Sequence, residues 1–326
     1  MTLTKKQSVI ITITLAVVYF IPLLFLPESI VGQRDEDLML FIPKLMFLAI
    51  TAAIVSVIIL VFIFRSAYIS ALIYSFSRFK HYLKLLVKRD FVSKYRRSIL
   101  GVVWSLLNPL LTMLVLTLVF SFLFKNDIDF FPVYVLSGQM IYGFFNESTT
   151  LAMSSVIANE SIVKKIYVPK YIFPLSRVIS SLVNLLFSFL AFILVFIFIG
   201  VPFQWTMLLI PIPIIFLFVF ALGIAMLLSS LAVFFRDLTY LYGVFMLLMF
   251  FLTPIMYPVE IIPDWLMPYY GLNPLFHFVT YFRYVALWGS VPDLWANMVC
   301  IGYAISALCI GTYIFMRQQD RFILSM

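Results

Sequence analysis

RDFVSKYRRSILGVVWSLLNPL, residues 89–110, sets Arg89, Lys94, Arg96 and Arg97 against the start of an apolar run that carries Asn108-Pro109. Charge gathered where an apolar helix begins marks a chain entering a bilayer, because basic residues collect on the cytoplasmic side of membrane spans. Composition agrees. Of 326 residues, 64% are hydrophobic and 11% charged, with a mean hydropathy of +1.12; a soluble domain carries about 25% charged residues. The chain is therefore an all-α polytopic membrane protein. Its net charge of +8 would suggest nucleic acid on a soluble surface. In a bilayer that charge orients the chain, and no nucleic-acid partner is expected.

A span needs about 20 mostly apolar residues. Eight stretches qualify: Ser8–Leu26, Leu45–Phe64, Ile99–Phe124, Phe131–Ile157, Val178–Ile199, Trp205–Phe234, Leu238–Met256 and Leu294–Met316. The first follows Lys5 and Lys6 as a signal peptide would, but Pro27 and Glu28 stand where a small-residue cleavage site belongs, so it reads as an uncleaved span. With both termini cytoplasmic, all but Arg34, Lys44, Lys125 and Arg283 of the 22 Lys and Arg residues fall inside. Cys300 and Cys309 share the last span, about 13.5 Å apart along its axis, too far for a disulfide.

Ahead of the quoted stretch, FSRFKHYLKLLVKR (Phe76–Arg89) puts Phe76, Phe79, Tyr82, Leu83, Leu86 and Val87 in one helical arc of about 140°. Arg78, Lys80, His81, Lys84, Lys88 and Arg89 take the rest, with Leu85 the exception. This predicts an amphipathic helix lying in the interface, apolar face among acyl chains. Asp90, Lys94 and Arg97 would land on the apolar arc, so the pattern predicts that the helix ends or turns at Asp90. Two readings fit the basic cluster: orientation with phospholipid contact, or a gate that receives an anionic lipid-linked substrate, for which Arg96 and Arg97 suit bidentate phosphate binding. Pro109 removes a backbone hydrogen bond and predicts a kink in the third span.

Residues 83–124 resemble the threshold region of the membrane subunits of ABC transporters that export cell-surface polysaccharides: O-antigen, teichoic acid and capsule. The family pattern is an amphipathic gate helix, a Y-R-R-S-x-L-G turn and W-x-L-x-N-P, which stand here as Tyr95, Arg96, Arg97, Ser98, Leu100, Gly101, Trp104, Leu106, Asn108 and Pro109. The resemblance implies a substrate gate at Tyr95, Arg96, Arg97, Leu100, Gly101 and Trp104. A second match, NESIVKKIYVPKYIFPLSR (Asn159–Arg177), resembles the family's coupling loop, which docks on the ATPase subunit. There Ile162, Val163 and Ile166 at helical spacing could seat in a partner's groove, with Lys164 and Lys165 at the rim and Asn159, Glu160 and Tyr167 beside them. The resemblance runs from about Phe76 to the C-terminus and divides the chain into two extra N-terminal spans (1–75), a gate helix and connector (76–98) and a six-span permease core (99–326).

Other candidates are less specific. Glu147, in GFFNESTTLAMSS (143–155), is a carboxylate inside a span and needs a cavity or a partner; pore lining and helix packing fit it equally. Tyr134, Tyr142, Phe145, Tyr257, Trp265 and Tyr269 are candidates for the aromatic lining that the family's channel carries. Residues 257–293, with Pro258, Pro263, Pro268 and Asn273-Pro274, are too long for a tight connection and too broken to span, and resemble the short re-entrant or external helices of these exporters. No G-x-x-x-x-G-K-[ST] occurs among the eleven glycines, and His81 and His277 have no companion at metal-binding spacing.

The expectation is a non-enzymatic permease in the bacterial cytoplasmic membrane, exporting an undecaprenyl-pyrophosphate-linked polysaccharide such as O-antigen. It would work as two permease copies with two nucleotide-binding subunits, the latter carrying ATP and magnesium, and bind no cofactor itself. Teichoic acid or capsule export stays open, as does a drug or small-lipid ABC permease. A membrane polysaccharide polymerase or glycosyltransferase is the rival of another class, though Glu260, Asp264, His277 and Arg283 are all the expected outer side offers it.

Overall fold

The computed structural model describes residues 66–95, 100–124, 128–165 and 168–322, and every regular element among them is helical. The expected spans Ser8–Leu26 and Leu45–Phe64, together with Arg34, Lys44, Arg96, Arg97, Lys125, Ile166 and Tyr167, lie outside the described residues. The chain divides into two compact units, Met1–Lys80 and His81–Met326, with the boundary inside helix α1, Ser66–Tyr95. In the second unit α1 is followed by α2 (Trp104–Phe124), α3 (Phe131–Met153), the short α4 (Glu160–Lys165), α5 (Ile172–Ile199), α6 (Pro211–Phe234), α7 (Leu238–Leu252), α8 (Met267–Tyr270), α9 (Pro274–Ala286) and α10 (Leu294–Gln318).

Among the described residues, four helical stretches are long and apolar enough to cross a membrane: Gly101–Ser121, Ile172–Ile199, Trp205–Phe234 and Leu294–Arg321. α3 has 23 residues. α7 has only 15, about 22 Å of rise against the roughly 30 Å hydrocarbon core. It stops short of the expected Met256 because Pro254 forces Thr253 out of the helical region, to φ −103° and ψ 128°. α2 runs on through Pro109, and Thr112 Oγ1 donates to the Asn108 carbonyl at 2.8 Å.

α3 lies at the centre, packed on α2, α5, α6 and α9. Its buried residues, among them Val133, Leu136, Ile141 and Ala152, cover most of its circumference, as befits a helix enclosed on all sides. α9 buries Leu275, Phe278, Val279, Phe282 and Ala286 at helical spacing, and aromatic rings interlock behind it: Phe282 against Phe192 at 5.5 Å, Phe278 against Phe220 at 5.3 Å. Asn273 caps α9 by accepting from the Leu275 amide, ahead of a proline at the first helical position.

α6 and α10 approach most closely. A Cβ placed on Gly223 would collide with the backbone of Ala307 and Leu308, and one on Gly311 with the Gly223 carbonyl. Spans associate through van der Waals packing, so small residues let two backbones touch where side chains would hold them apart. Both Cys300 and Cys309 are free thiols on α10.

Candidate functional site

α1 carries the first set of functional residues, and it does not stop at Asp90 as the hydrophobic pattern predicts. Leu83, Leu86, Asp90 and Lys94 recur at helical spacing along one face. Leu86 is 3% exposed, and Phe91 stacks on Phe187 of α5 with ring centroids 6.0 Å apart. Leu83 and Leu86 are thus buried in the chain itself, while Lys80, His81, Lys84, Lys88 and Arg89 are exposed.

Each charge on that face meets its opposite, which is why the helix continues to Tyr95. The Asp90 side chain, 7% exposed, lies 3.1 Å from Arg89 Nη2 and 3.1 Å from Arg177 Nη1 of α5. Arg89 Nη1 also donates to Asn159 Oδ1 at 3.3 Å, and Asn159 in turn donates to the Ser155 carbonyl at 2.7 Å. One turn further on, Lys94 Nζ meets Glu147 Oε1 of α3 at 2.8 Å, and Asn184 Nδ2 donates to the same oxygen at 2.8 Å. The Lys94–Glu147 pair is partly solvated and contributes at most about 1 kcal/mol. Asp90 matters more, because removing the partners of a buried charge costs about 3–5 kcal/mol.

The basic helix and the loop with the coupling motif are therefore joined side chain to side chain. In that loop α4 is held by the Lys164–Glu160 pair at 2.5 Å. Val163 is buried in the chain, Ile162 is half-buried, and Lys164 and Lys165 are exposed. Of the apolar trio, Val163 is already occupied internally. Lys170 Nζ ties the loop to the end of α10 through the Gln319 carbonyl at 2.5 Å. Burial lowers the Lys170 ammonium from its ordinary value, and Asp320 pulls the other way.

Among the gate residues, Leu100 and Trp104 are exposed. Gly101 turns the chain into α2 with φ +50°, a left-handed conformation that side chains resist. This accounts for glycine at the end of the basic motif.

The aromatic candidates separate into two groups. Tyr134, Tyr142 and Phe145 are buried in the bundle. Tyr142 Oη donates to the Met246 carbonyl at 2.6 Å, and Phe145 stacks on Phe220 at 5.2 Å. Trp265 and Tyr269 are 72% and 65% exposed. Tyr257 is half-buried, donating to the Phe251 carbonyl at 2.7 Å and lying 3.0 Å from Tyr270 Oη.

At the opposite end of α3 stands a residue that composition and motifs did not single out. Arg283 is 1% exposed. Its guanidinium donates to Ser137 Oγ at 3.2 Å and to the carbonyls of Pro254 at 2.6 Å, Tyr134 at 3.1 Å and Ile255 at 3.2 Å. It also lies 3.4 Å from the centre of the Tyr134 ring, a cation–π contact. Gly138 makes room, since a Cβ there would come within 2.8 Å of Nη2. The arrangement completes the short α7: backbone beyond the helix is tolerated at membrane depth only when its polar groups are satisfied, and Arg283 supplies the donors. A helical wheel of Pro274–Ala286 carries the signal, because it sets Arg283 about 40° from Val279, at the margin of the buried face rather than on the outer one.

Residues 81–287 match the family described as ABC-2 type transporter. The chain is 27% identical over 241 residues to the O-antigen export system permease protein RfbA of Myxococcus xanthus, covering 73% of this chain and 92% of that protein. It is 28% identical over 245 residues to an RfbA permease of Klebsiella pneumoniae, covering 74% and 93%, and 28% identical over 247 residues to another from the same organism, covering 74% and 93%.

Proposed function

The chain belongs to the ABC-2 type transporter family of membrane subunits, and from that premise we propose that it is the permease of an exporter moving a lipid-linked O-antigen-type polysaccharide across the bacterial cytoplasmic membrane. Family membership implies an ATPase partner. Two permease copies and two ATPase subunits would form the working unit, with ATP and magnesium on the ATPase. The chain would carry eight spans, two of them in residues 1–75, a gate region at 76–98 and a six-span core at 99–326, with both termini in the cytosol.

The observation that carries this reading is the junction of α1 with α3, α5 and the turn that leads into α4, through Lys94–Glu147, Asp90–Arg177 and Arg89–Asn159. A push on α4 by the ATPase would reach α1 through these pairs. α1 leads into Arg96 and Arg97, which would hold the pyrophosphate of an undecaprenyl carrier. Tyr95, Leu100, Gly101 and Trp104 would shape that gate, and Glu160, Ile162, Lys164, Lys165, Ile166 and Tyr167 would face the ATPase. Trp265 and Tyr269 suit the outer part of an aromatic sugar path; Tyr134, Tyr142 and Phe145 would support its wall.

Proteoliposomes holding this chain, its ATPase and a lipid-linked glycan test the reading. ATP should drive glycan to the far side. Arg96→Ala/Arg97→Ala should cut transport more than tenfold, since each charge-assisted hydrogen bond to phosphate contributes about 1.5–3 kcal/mol. Asp90→Asn should leave ATP hydrolysis running while transport falls. Hydrolysis without glycan movement in the unmodified chain would defeat the proposal, and full transport in the double arginine variant would remove the gate.

A further inference from the structure

Between the ends of α6 and α10 opens a cleft of about 360 Å³ lined by Leu231, Tyr313, Ile314, Arg317, Gln318 and Arg321. That volume falls in the range of about 300–1,000 Å³ usual for small-molecule sites. Its chemistry is graded along its length. Leu231 and Ile314 make one part apolar; Tyr313, Arg317 and Arg321 are exposed around the other. Gln318 is fixed as part of the wall, because its Oε1 accepts from Ser230 Oγ at 2.6 Å. Arg317 Nη1 reaches toward Tyr313 Oη at 3.5 Å, so the hydroxyl and the guanidinium share one space.

Arg317 lies in the last turn of α10 and Arg321 in the short turn just beyond it, and both line the cleft. The neighbouring Asp320 is exposed, and its charge acts on Lys170. Two arginine forks and a phenol hydroxyl match the oxygens of a phosphate better than lysines would.

Depth adds an independent argument. Counted from Leu294, Tyr313 lies about 28 Å along the helix and Arg317 and Arg321 about 35–40 Å. The tyrosine is then at the edge of a hydrocarbon core about 30 Å thick, with the arginines at headgroup level. The Lys170–Gln319 link puts this end of α10 beside the α4 loop, where lysines and arginines gather, the inner-leaflet side by the charge rule.

We propose that this cleft binds the phosphate headgroup of an anionic inner-leaflet lipid. Arg317 and Arg321 hold the phosphate oxygens, Tyr313 donates to one of them, and the first acyl carbons lie on Leu231 and Ile314. The site is distinct from the basic gate and does not depend on what the chain transports.

The test is the thermal unfolding midpoint of the full-length chain in detergent, with dioleoylphosphatidylglycerol, dioleoylphosphatidylcholine or inorganic phosphate added. A ligand present at a hundred times its dissociation constant contributes about 2.7 kcal/mol, a rise on the order of 5 °C for a chain of this size. Phosphatidylglycerol should produce that rise and phosphatidylcholine should not. Arg317→Gln/Arg321→Gln should lose the rise while keeping the lipid-free midpoint. Should that variant not accumulate, Arg317→Lys, which keeps the charge but not the fork, should retain fewer phosphatidylglycerol molecules by native mass spectrometry. An equal rise with inorganic phosphate alone would overturn the lipid source and leave a soluble phosphate compound as occupant. An undiminished lipid response in the double variant would overturn the site, and so would loss of the co-purified ATPase with the lipid response intact, which would make the surface a protein contact.

Discussion

Arg283→Met lowers the thermal midpoint by about 10 °C, the expected result of losing about 3–5 kcal/mol of charge-assisted hydrogen bonds to buried groups in a chain of this size. Methionine fills much of the space but donates nothing. The Pro254 and Ile255 carbonyls, which Arg283 holds at 2.6 and 3.2 Å, lie beyond the last turn of α7. Ile255 is left dry and unpaired at a cost of about 1–3 kcal/mol, and Pro254 keeps only the long bond from the Tyr134 hydroxyl at 3.5 Å, a loss partly offset because a desolvated positive charge has also gone. Arg283→Lys should fail nearly as badly, for one ammonium cannot reach Ser137, Tyr134, Pro254 and Ile255 from a single position as a planar fork does. A calorimetric scan of both variants in detergent decides the matter. A midpoint within about 2 °C of the parent for either would show that the carbonyls find other donors.

Gly223→Val has a larger effect still: no folded chain in the membrane fraction. The obstacle to a side chain there is the backbone of Ala307 and Leu308, which no rotamer change can move aside. Overpacking a core against side chains costs about 1–3 kcal/mol; against a neighbouring backbone the helices must part. Gly223→Ala should already reduce yield and midpoint. Gly143→Ala and Gly302→Ala provide the controls, since a Cβ at either meets nothing within 4 Å and alanine favours helix by up to about 1 kcal/mol. Fluorescence-detected size exclusion of tagged variants reads all four. A monodisperse peak from Gly223→Val would mean that the close crossing of α6 and α10 is not needed.

Much of this architecture can be read from the residues because bilayer helices announce themselves locally. Leu83 and Leu86 fall on one face of a wheel, and both are buried. Pro274, with Asn273 ahead of it, marks the start of α9. What local pattern cannot supply is the partner of a charge. Asp90 looks like a helix stop until Arg177, far along the sequence, arrives beside it. Glu147 is recognisable as a carboxylate that needs an answer, but Lys94 and Asn184 come from two other helices. Arg283 reads as one more outer charge by sign and side alone; its place on α9 relative to the buried face is what sets it apart. Val163 shows the same gap from the apolar side: helical spacing identifies a greasy stripe in α4 but not whether the chain itself has already covered it.

α2 stands apart from its neighbours in one respect. Of its described side chains from Trp104 to Ser121, Met113 alone is buried, whereas α6 and α10 are locked backbone to backbone. In any cycle that opens and closes a passage, then, the glycine-paired helices would act as the fixed frame. The helix that starts at Gly101, packed chiefly on α3 and α5, would swing as the leaf.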